Sequence, residues 1–257
     1  MPLMPTRTRS RRREQGFTLL ELAISLVIVS LVSGGLMMAL SARHNTLATS
    51  ETQHRINNAR DALLGFAAAN GRLPCPAAPG KTGLESPPGG GTCTNPWDGF
   101  LPAVTLGLAP TNAQGYALDD WGNPIRYGIT TYGDTDYCAG HMFATTNCLK
   151  AAWLNKQAAP DLHVCSSATG MSGNGASANC AAGSTLASNA VAVLFSRGAN
   201  GGAPPRSLDE SANGNVDRLF VSHTQTAAGT ANEFDDIVTW LSPNIFYYRL
   251  IAAGRLP

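Results

Sequence analysis

The chain predicts an α+β fold: a long amino-terminal helix, apolar in its first half, packed on an antiparallel β-sheet domain with disulfide-pinned loops. Three observations carry this expectation. An apolar run from Phe17 to Leu40 continues into a stretch with helical spacing that ends at Asn70-Gly71. Beyond it, short β-forming segments alternate with Gly- and Asn-rich loops. All six cysteines, an even number, follow the apolar run. The organisation reads as a basic leader (1–16), an apolar helix (17–40), its amphipathic continuation (41–70) and a globular α+β domain (71–257).

Five arginines (Arg7, Arg9, Arg11, Arg12 and Arg13) precede the apolar run, and none interrupts it. As a helix, residues 17–40 would be on the order of 36 Å long, enough to cross a bilayer core. The positive-inside rule keeps the leader cytoplasmic and sends the remainder outward. One carboxylate, Glu21, stands inside the run. A charge of that kind in a membrane costs roughly 2.5–3.5 kcal/mol on insertion scales, so it needs a reason. Three maturation routes compete. Ala39-Leu40-Ser41 has the small-x-small form of a secretory cleavage site. Ser10-Arg11-Arg12 suggests a twin-arginine signal, which Glu14-Gln15-Gly16 fits poorly. Cleavage after Gly16 would instead retain the apolar helix. Glu21 favours this third route, because neither secretory signal has a use for an acid there.

Gly16-Phe17-Thr18-Leu19-Leu20-Glu21, behind the basic leader and ahead of the long apolar run, resembles the prepilin signal of type IV pilins and type II secretion pseudopilins. The resemblance implies a pilin-like fold, cleavage between Gly16 and Phe17 by an inner-membrane prepilin peptidase, and methylation of the new Phe17 amine. It also implies that Glu21 recruits subunits by pairing with the Phe17 amine of a neighbour. An amine and a carboxylate, each costly alone in lipid, offset one another when subunits stack. The plainer alternative is a simple anchor with a stray acid near its end.

Without Glu14 and the five arginines, 18 basic and 17 acidic residues become 13 and 16, and the formal charge moves from +1 to −3. The exported part therefore has no broad basic footprint, and direct nucleic-acid binding is not expected. Cys75, Cys93, Cys138, Cys148, Cys165 and Cys180 fit an oxidising compartment. Nearest-neighbour pairing is the expectation, since each such pair brackets a Gly/Ser/Thr/Asn-rich loop, although six cysteines allow fifteen connectivities. A zinc site is the alternative, but no Cys-x2-Cys pair is present.

In chain order, Leu47, Ile56, Ala59, Leu63 and Phe66 define one face of the continuing helix, which would reach roughly 80 Å from Phe17 to Asn70. Gly34-Gly35 is its expected soft point. Residues 71–120 read as irregular and tied down by Cys75 and Cys93. Gly122-Asn123-Pro124 is turn chemistry before a strand at 125–132. Strands at 190–196, 218–223 and 236–241 are expected to form an antiparallel sheet against the first helix. Ser242-Pro243 reads as an N-cap and first-turn proline of a closing helix that ends at Gly254.

Two pieces of this domain are also similar to the major pseudopilin. One is Trp121-Gly122-Asn123-Pro124 with Tyr127; the other is Phe195-Ser196-Arg197-Gly198-Ala199-Asn200-Gly201-Gly202, later joined by Asp235-Asp236-Ile237 and Trp240. The resemblance implies a calcium loop using Ser196, Asn200, Asp235 and Asp236, in keeping with the six to eight oxygens that Ca²⁺ takes from flexible loops. Asn200 stands where the group has an acid, and the segment up to Phe234 is longer than the pattern. The alternative is that Asp235 caps a turn and Asp236 pairs with Arg197 or Arg218.

No Gly-x-Ser-x-Gly, His-Glu-x-x-His or phosphate-loop motif accompanies His44, His54, His141, His163 and His223, so catalysis is not expected. His44 and His54 fall on the solvated part of the long helix, and His163 reads as a loop residue. The expected protein is a structural prepilin subunit, minor rather than major, of a type II secretion pseudopilus or a type IV pilus. The alternative is a pilus tip or accessory pilin acting as an adhesion or cargo-binding module. Its partners would be other pilin or pseudopilin subunits, the prepilin peptidase and the inner-membrane assembly platform. It would sit in the inner membrane by a single pass with a cytoplasmic leader and periplasmic domain, then in a periplasmic or surface filament.

Overall fold

The computed structural model describes residues 18–80, 82–133, 138, 140–154 and 159–257, with the backbone alone described at 35–42. Two compact units result, Met1–Asn45 and Thr46–Pro257. Helix α1 (Leu19–Asn70) contributes its residues before Thr46 to the first and the rest to the second. In the first unit Thr18 Oγ1 accepts the Glu21 N–H at 3.3 Å, an N-cap contact. The hydroxyls of Ser25 and Ser30 donate to the carbonyls of Glu21 and Val27 at 2.7 and 2.8 Å. Their polarity is thus absorbed within the helix. The helix runs on through Gly34-Gly35 without a break.

In the second unit Ala48, Thr52, Ile56, Ala59, Leu63 and Ala67 form the buried face of α1, at steps of three and four residues. Leu47, expected on that face, is 70% exposed, and Ala48 beside it is buried instead. The helix ends where expected, with Gly71 at φ +69° and its N–H on the Ala67 carbonyl at 2.8 Å. Only glycine holds that left-handed C-terminal position without penalty. Arg255 caps the last turn by donating from Nε to the Ala68 carbonyl at 2.8 Å and from its other guanidinium nitrogen to Ala69.

Seven strands follow: β1 (Gly99–Phe100), β2 (Arg126–Ile129), β3 (Leu162–Cys165), β4 (Thr185–Ala190), β5 (Ala192–Ser196), β6 (Leu219–Val221) and β7 (Ile237–Leu241). Helices α2 (Ala103–Leu106), α3 (Cys148–Leu154), α4 (Leu208–Asn213) and α5 (Pro243–Ala252) complete the set. One sheet has the order β1-β2-β5-β7 and is antiparallel throughout. Ala192 and Leu194 of β5 share a core with Ile56, Leu63, Tyr127 and, from α5, Phe246 and Leu250. Ser242 Oγ accepts the Ile245 N–H, and Pro243 opens α5, so the closing helix starts as its sequence signals.

The strand at 218–223 departs from expectation. As β6 it joins a second sheet of order β4-β3-β6 and lies parallel to β3. The cause lies in β5, every residue of which is buried. Val193 and Phe195 point to a second core with Leu162, Val164 and Phe220, the Phe195 and Phe220 rings lying 5.7 Å apart. A strand buried on both faces needs a layer on each side, and its continuous apolar run is the mark of that state. Strands β4 and β5 are separated by Val191 alone, where the chain passes from one sheet to the other.

Disulfides join Cys75 to Cys93, Cys138 to Cys148 and Cys165 to Cys180, with Cα separations of 5.2, 5.5 and 5.6 Å. Replacing Cys75 and Cys93 together by alanine is expected to lower stability by about 3 kcal/mol through the freed loop entropy of the unfolded chain. A denaturant midpoint measured against the parent checks this. An unchanged midpoint would mean that the loop is held by other contacts alone.

Candidate functional site

The amino-terminal motif lies partly beyond the described residues, which exclude Gly16 and Phe17. Glu21 stands in the first turn of α1, exposed, and its carboxylate has no partner among the described residues. Around it Leu19, Leu20, Leu22, Ile24, Leu26, Val27, Ile28, Val29, Leu31 and Val32 are all more than half exposed. Apolar side chains at consecutive positions leave this helix no polar face. A helix of that kind belongs in lipid or inside a packed assembly. Among the described residues no helix is long and apolar enough to cross a membrane. Phe17 and the side chains of 35–40, which complete the apolar run, lie outside the description.

A second constellation lies at the ends of β5 and β7. The turn before β2 is organised by Asp119, whose Oδ1 accepts the N–H groups of Trp121 and Asn123 at 3.0 and 2.7 Å. Its Oδ2 takes the Ser196 hydroxyl at 2.6 Å. Asn123 Nδ2 donates to the Gly198 carbonyl at 2.8 Å, which joins this turn to the glycine loop. On the other side, Arg55 of α1 donates to the Leu118 and Asp119 carbonyls and to Asp120 Oδ1 at 2.8–3.1 Å. The Trp-Gly-Asn-Pro turn thereby ties α1 to the loop at residues 198–202.

Beside that loop the carboxylates of Asp235 and Asp236, just before β7, meet a third, Glu210 of α4, with one oxygen of each within 4.8 Å of the others. Asn200 bridges two of them: its N–H donates to Asp235 Oδ2 at 3.0 Å and its side-chain amide to Glu210 Oε1 at 2.8 Å. Asp236 Oδ2 accepts from Asn213 Nδ2 at 2.7 Å. Asp235 Oδ1 is buried and has no hydrogen-bond partner among the described residues. Burial pushes the Asp235 carboxyl up to about 6, partly offset by the Asn200 N–H and reinforced by Glu210 and Glu233. The Asp236 carboxyl rises to about 7, again chiefly through burial, with Glu210 and Asp235 adding to the rise.

Of the four loop residues singled out for calcium, Asn200, Asp235 and Asp236 come together. Ser196 turns its hydroxyl to Asp119. Arg218, the alternative partner for Asp236, pairs with Asp161 at 3.7 Å. The orphaned Asp235 oxygen and the crowding of three carboxylates fit a hard divalent cation, which takes carboxylate and carbonyl oxygens. Glu210 and Asn213 were not singled out, because they sit in the long segment before Phe234. The only local signal there was Ser207 followed three residues later by Glu210, which reads as a capping pair. Gly198, at φ +61°, would place a Cβ 2.4 Å from Asp235 Cγ. Gly198→Ala is expected to cost about 1–2 kcal/mol in backbone strain alone and to displace Asp235. A thermal melt checks it, and an unshifted midpoint would contradict the geometry.

The remaining histidines do not assemble a nucleophile. His163 lies in β3 rather than in a loop. His141 Nδ1 accepts the Cys93 N–H at 3.2 Å. His223 Nε2 meets Asp209 Oδ2 at 3.1 Å, while Ser167 donates to Asp209 Oδ1 at 3.2 Å. The acid stands between hydroxyl and imidazole, so the imidazole is not placed to take the serine proton.

Residues 11–37 match the family model described as the prokaryotic N-terminal methylation motif. No curated protein and no solved structure matches the chain. The matched segment holds Arg11, Arg12 and Arg13, the Gly16-Phe17 junction, Glu21 and most of the apolar run. That motif, ahead of an α+β domain bearing three disulfides, supports a prepilin of the type IV pilin and pseudopilin family.

Proposed function

We propose that this protein is a minor structural subunit of a type II secretion pseudopilus or a type IV pilus. It is made as a prepilin, cut between Gly16 and Phe17, methylated at Phe17 and assembled through its amino-terminal helix. The observation that carries the reading is an α1 segment apolar on every side around Glu21, whose carboxylate has no partner among the described residues. Before assembly the segment from Phe17 to Leu40 sits in the inner membrane with the domain beyond residue 70 in the periplasm. On extraction by the assembly platform it packs against the same segment of neighbouring subunits, where Glu21 meets a Phe17 amine. Filament assembly, rather than turnover of a substrate, is then the activity. Size, three disulfides and long Gly-rich loops suit a subunit present in few copies. A low-copy role is tested by counting subunits per filament, and a stoichiometry matching the main repeat would contradict it.

Calcium forms part of the same proposal. Asp235 and Asp236 would hold it, where it would neutralise carboxylates that burial otherwise drives towards protonation. Deleting the gene decides between the two filaments. Loss of exoprotein release with intact twitching assigns the protein to secretion, and the reverse assigns it to a pilus. If neither changes, the assembly role is wrong.

A further inference from the structure

Helices α1 and α5 meet along the last turns of α1. Phe246 and Leu250 share a core with Leu63 and Leu64, and Arg255 caps the final α1 carbonyls, so the two helices are fixed side by side. Between them runs a groove of about 170 Å³, lined by Asp61, Leu64, Gly65, Ala68 and Arg249. A Cβ added at Gly65 would meet nothing within 4 Å, so the groove is open at its midpoint. Beside it stands a ridge: Ile245 and Tyr248 of α5, one turn apart, are 48% and 70% exposed. The outer face of a surface helix normally carries charge. Here residues 62–71 and 243–252 carry Arg249 alone. Asp61 stands just before them, its side chain 66% exposed and 3.8 Å from Arg60. An ion pair that long and that exposed contributes little.

The pattern of this face says what covers it. An apolar space of about 150 Å³ takes a benzene ring, so the groove has room for one aromatic side chain, and the adjoining ridge carries one. An acid and a base, Asp61 and Arg249, line the same groove. A partner of one charge would meet its own sign at one of them. A second copy of this chain offers a ridge for the groove, a groove for the ridge and both charges in reciprocal order, as a two-fold contact requires. Two copies inserted through the same leader cross the membrane in the same direction. Their two-fold axis then lies along the membrane normal, and residues meet at like height. Asp61, Arg249 and the neighbouring Tyr248 satisfy that condition, because they gather at one groove. We infer that two copies pair in the membrane before assembly, each seating Tyr248 in the other's α1–α5 groove and Arg249 against the other's Asp61. The inference rests on the proposed function only for retention of the amino-terminal helix in the membrane.

The test uses the full chain in its host membrane, with photoreactive benzoylphenylalanine in place of Tyr248, which keeps an aromatic ring on the ridge. Irradiation is expected to join the subunit to a second copy, with the link falling within residues 61–68. The same group in place of Leu186, half exposed on β4, should give no such adduct. Asp61→Arg and Arg249→Asp should each lower the adduct by about tenfold, because both reciprocal contacts turn repulsive, and the two changes together should return it to within about twofold of the parent. An adduct to a different protein, to lipid or to nothing overturns the inference, as does an equal adduct from position 186. If either single variant melts below the parent, the charge swap decides: recovered pairing supports the inference, and continued loss overturns it. Protein recovered outside the membrane fraction overturns the reading beneath. A membrane-bound chain that forms no adduct with its own kind overturns this inference alone.

Discussion

Glu21→Ala is expected to leave leader removal and the folded domain intact while reducing incorporation into filaments by on the order of 100-fold or more. Removing one member of a buried charge pair leaves the other uncompensated, at about 3–5 kcal/mol, and each 1.4 kcal/mol is about tenfold in an equilibrium. The first turn of α1 is otherwise apolar, so no nearby side chain can substitute for the carboxylate. Glu21→Gln keeps the shape and a hydrogen-bond acceptor but not the charge, and should fail nearly as badly. The fraction of subunits in sheared filaments, measured against the membrane pool, gives the answer. Parent-level incorporation of Glu21→Ala would remove the electrostatic account of docking.

Arg72→Ala is expected to destabilise the domain by about 3–5 kcal/mol, lowering its melting midpoint by roughly 6–20 °C. Arg72 and Glu85 form a two-pronged pair with both N···O distances at 2.8 Å, and their side chains are only 7% and 9% exposed. Glu85 also accepts the N–H groups of Cys75 and Gly89 at 3.2 Å. Losing the guanidinium strands that carboxylate in the interior. Arg72→Lys, which keeps the charge but loses the fork, should fall between parent and alanine. The double change Arg72→Met, Glu85→Gln removes both charges and keeps an acceptor, so it should recover more than half of the loss. Thermal melts of the four proteins check this. A double variant as unstable as Arg72→Ala would show that the pair is not the organising contact.

Those two residues mark the boundary between what was legible in the sequence and what was not. Glu21 declares itself, because a lone acid in an apolar run has few explanations. Asn70-Gly71 and Ser242-Pro243 are equally local signals, and α1 and α5 end and begin there. Arg72 and Glu85 carry no such signal. They lie in a stretch read as irregular, and their partnership across 13 positions exists only once the chain has folded back. The same holds for Glu210, whose spacing from Ser207 reads as ordinary capping until Asn200, Asp235 and Asp236 close around it. For β6, composition identified a strand at 218–223 but not its sheet, because propensity is blind to pairing. Its parallel partner β3 lies 56 residues earlier, counting from His163 to its partner Leu219, and only the two-sided burial of β5 demanded a second layer.

The central claim is that the apolar helix remains on the mature protein with a free amine four residues ahead of Glu21. An intact mass spectrum of the protein purified from its host membrane tests it most directly. The account predicts one species that begins at Phe17 and carries one added methyl group. A mature form beginning at Ala42, with the helix removed, would contradict it.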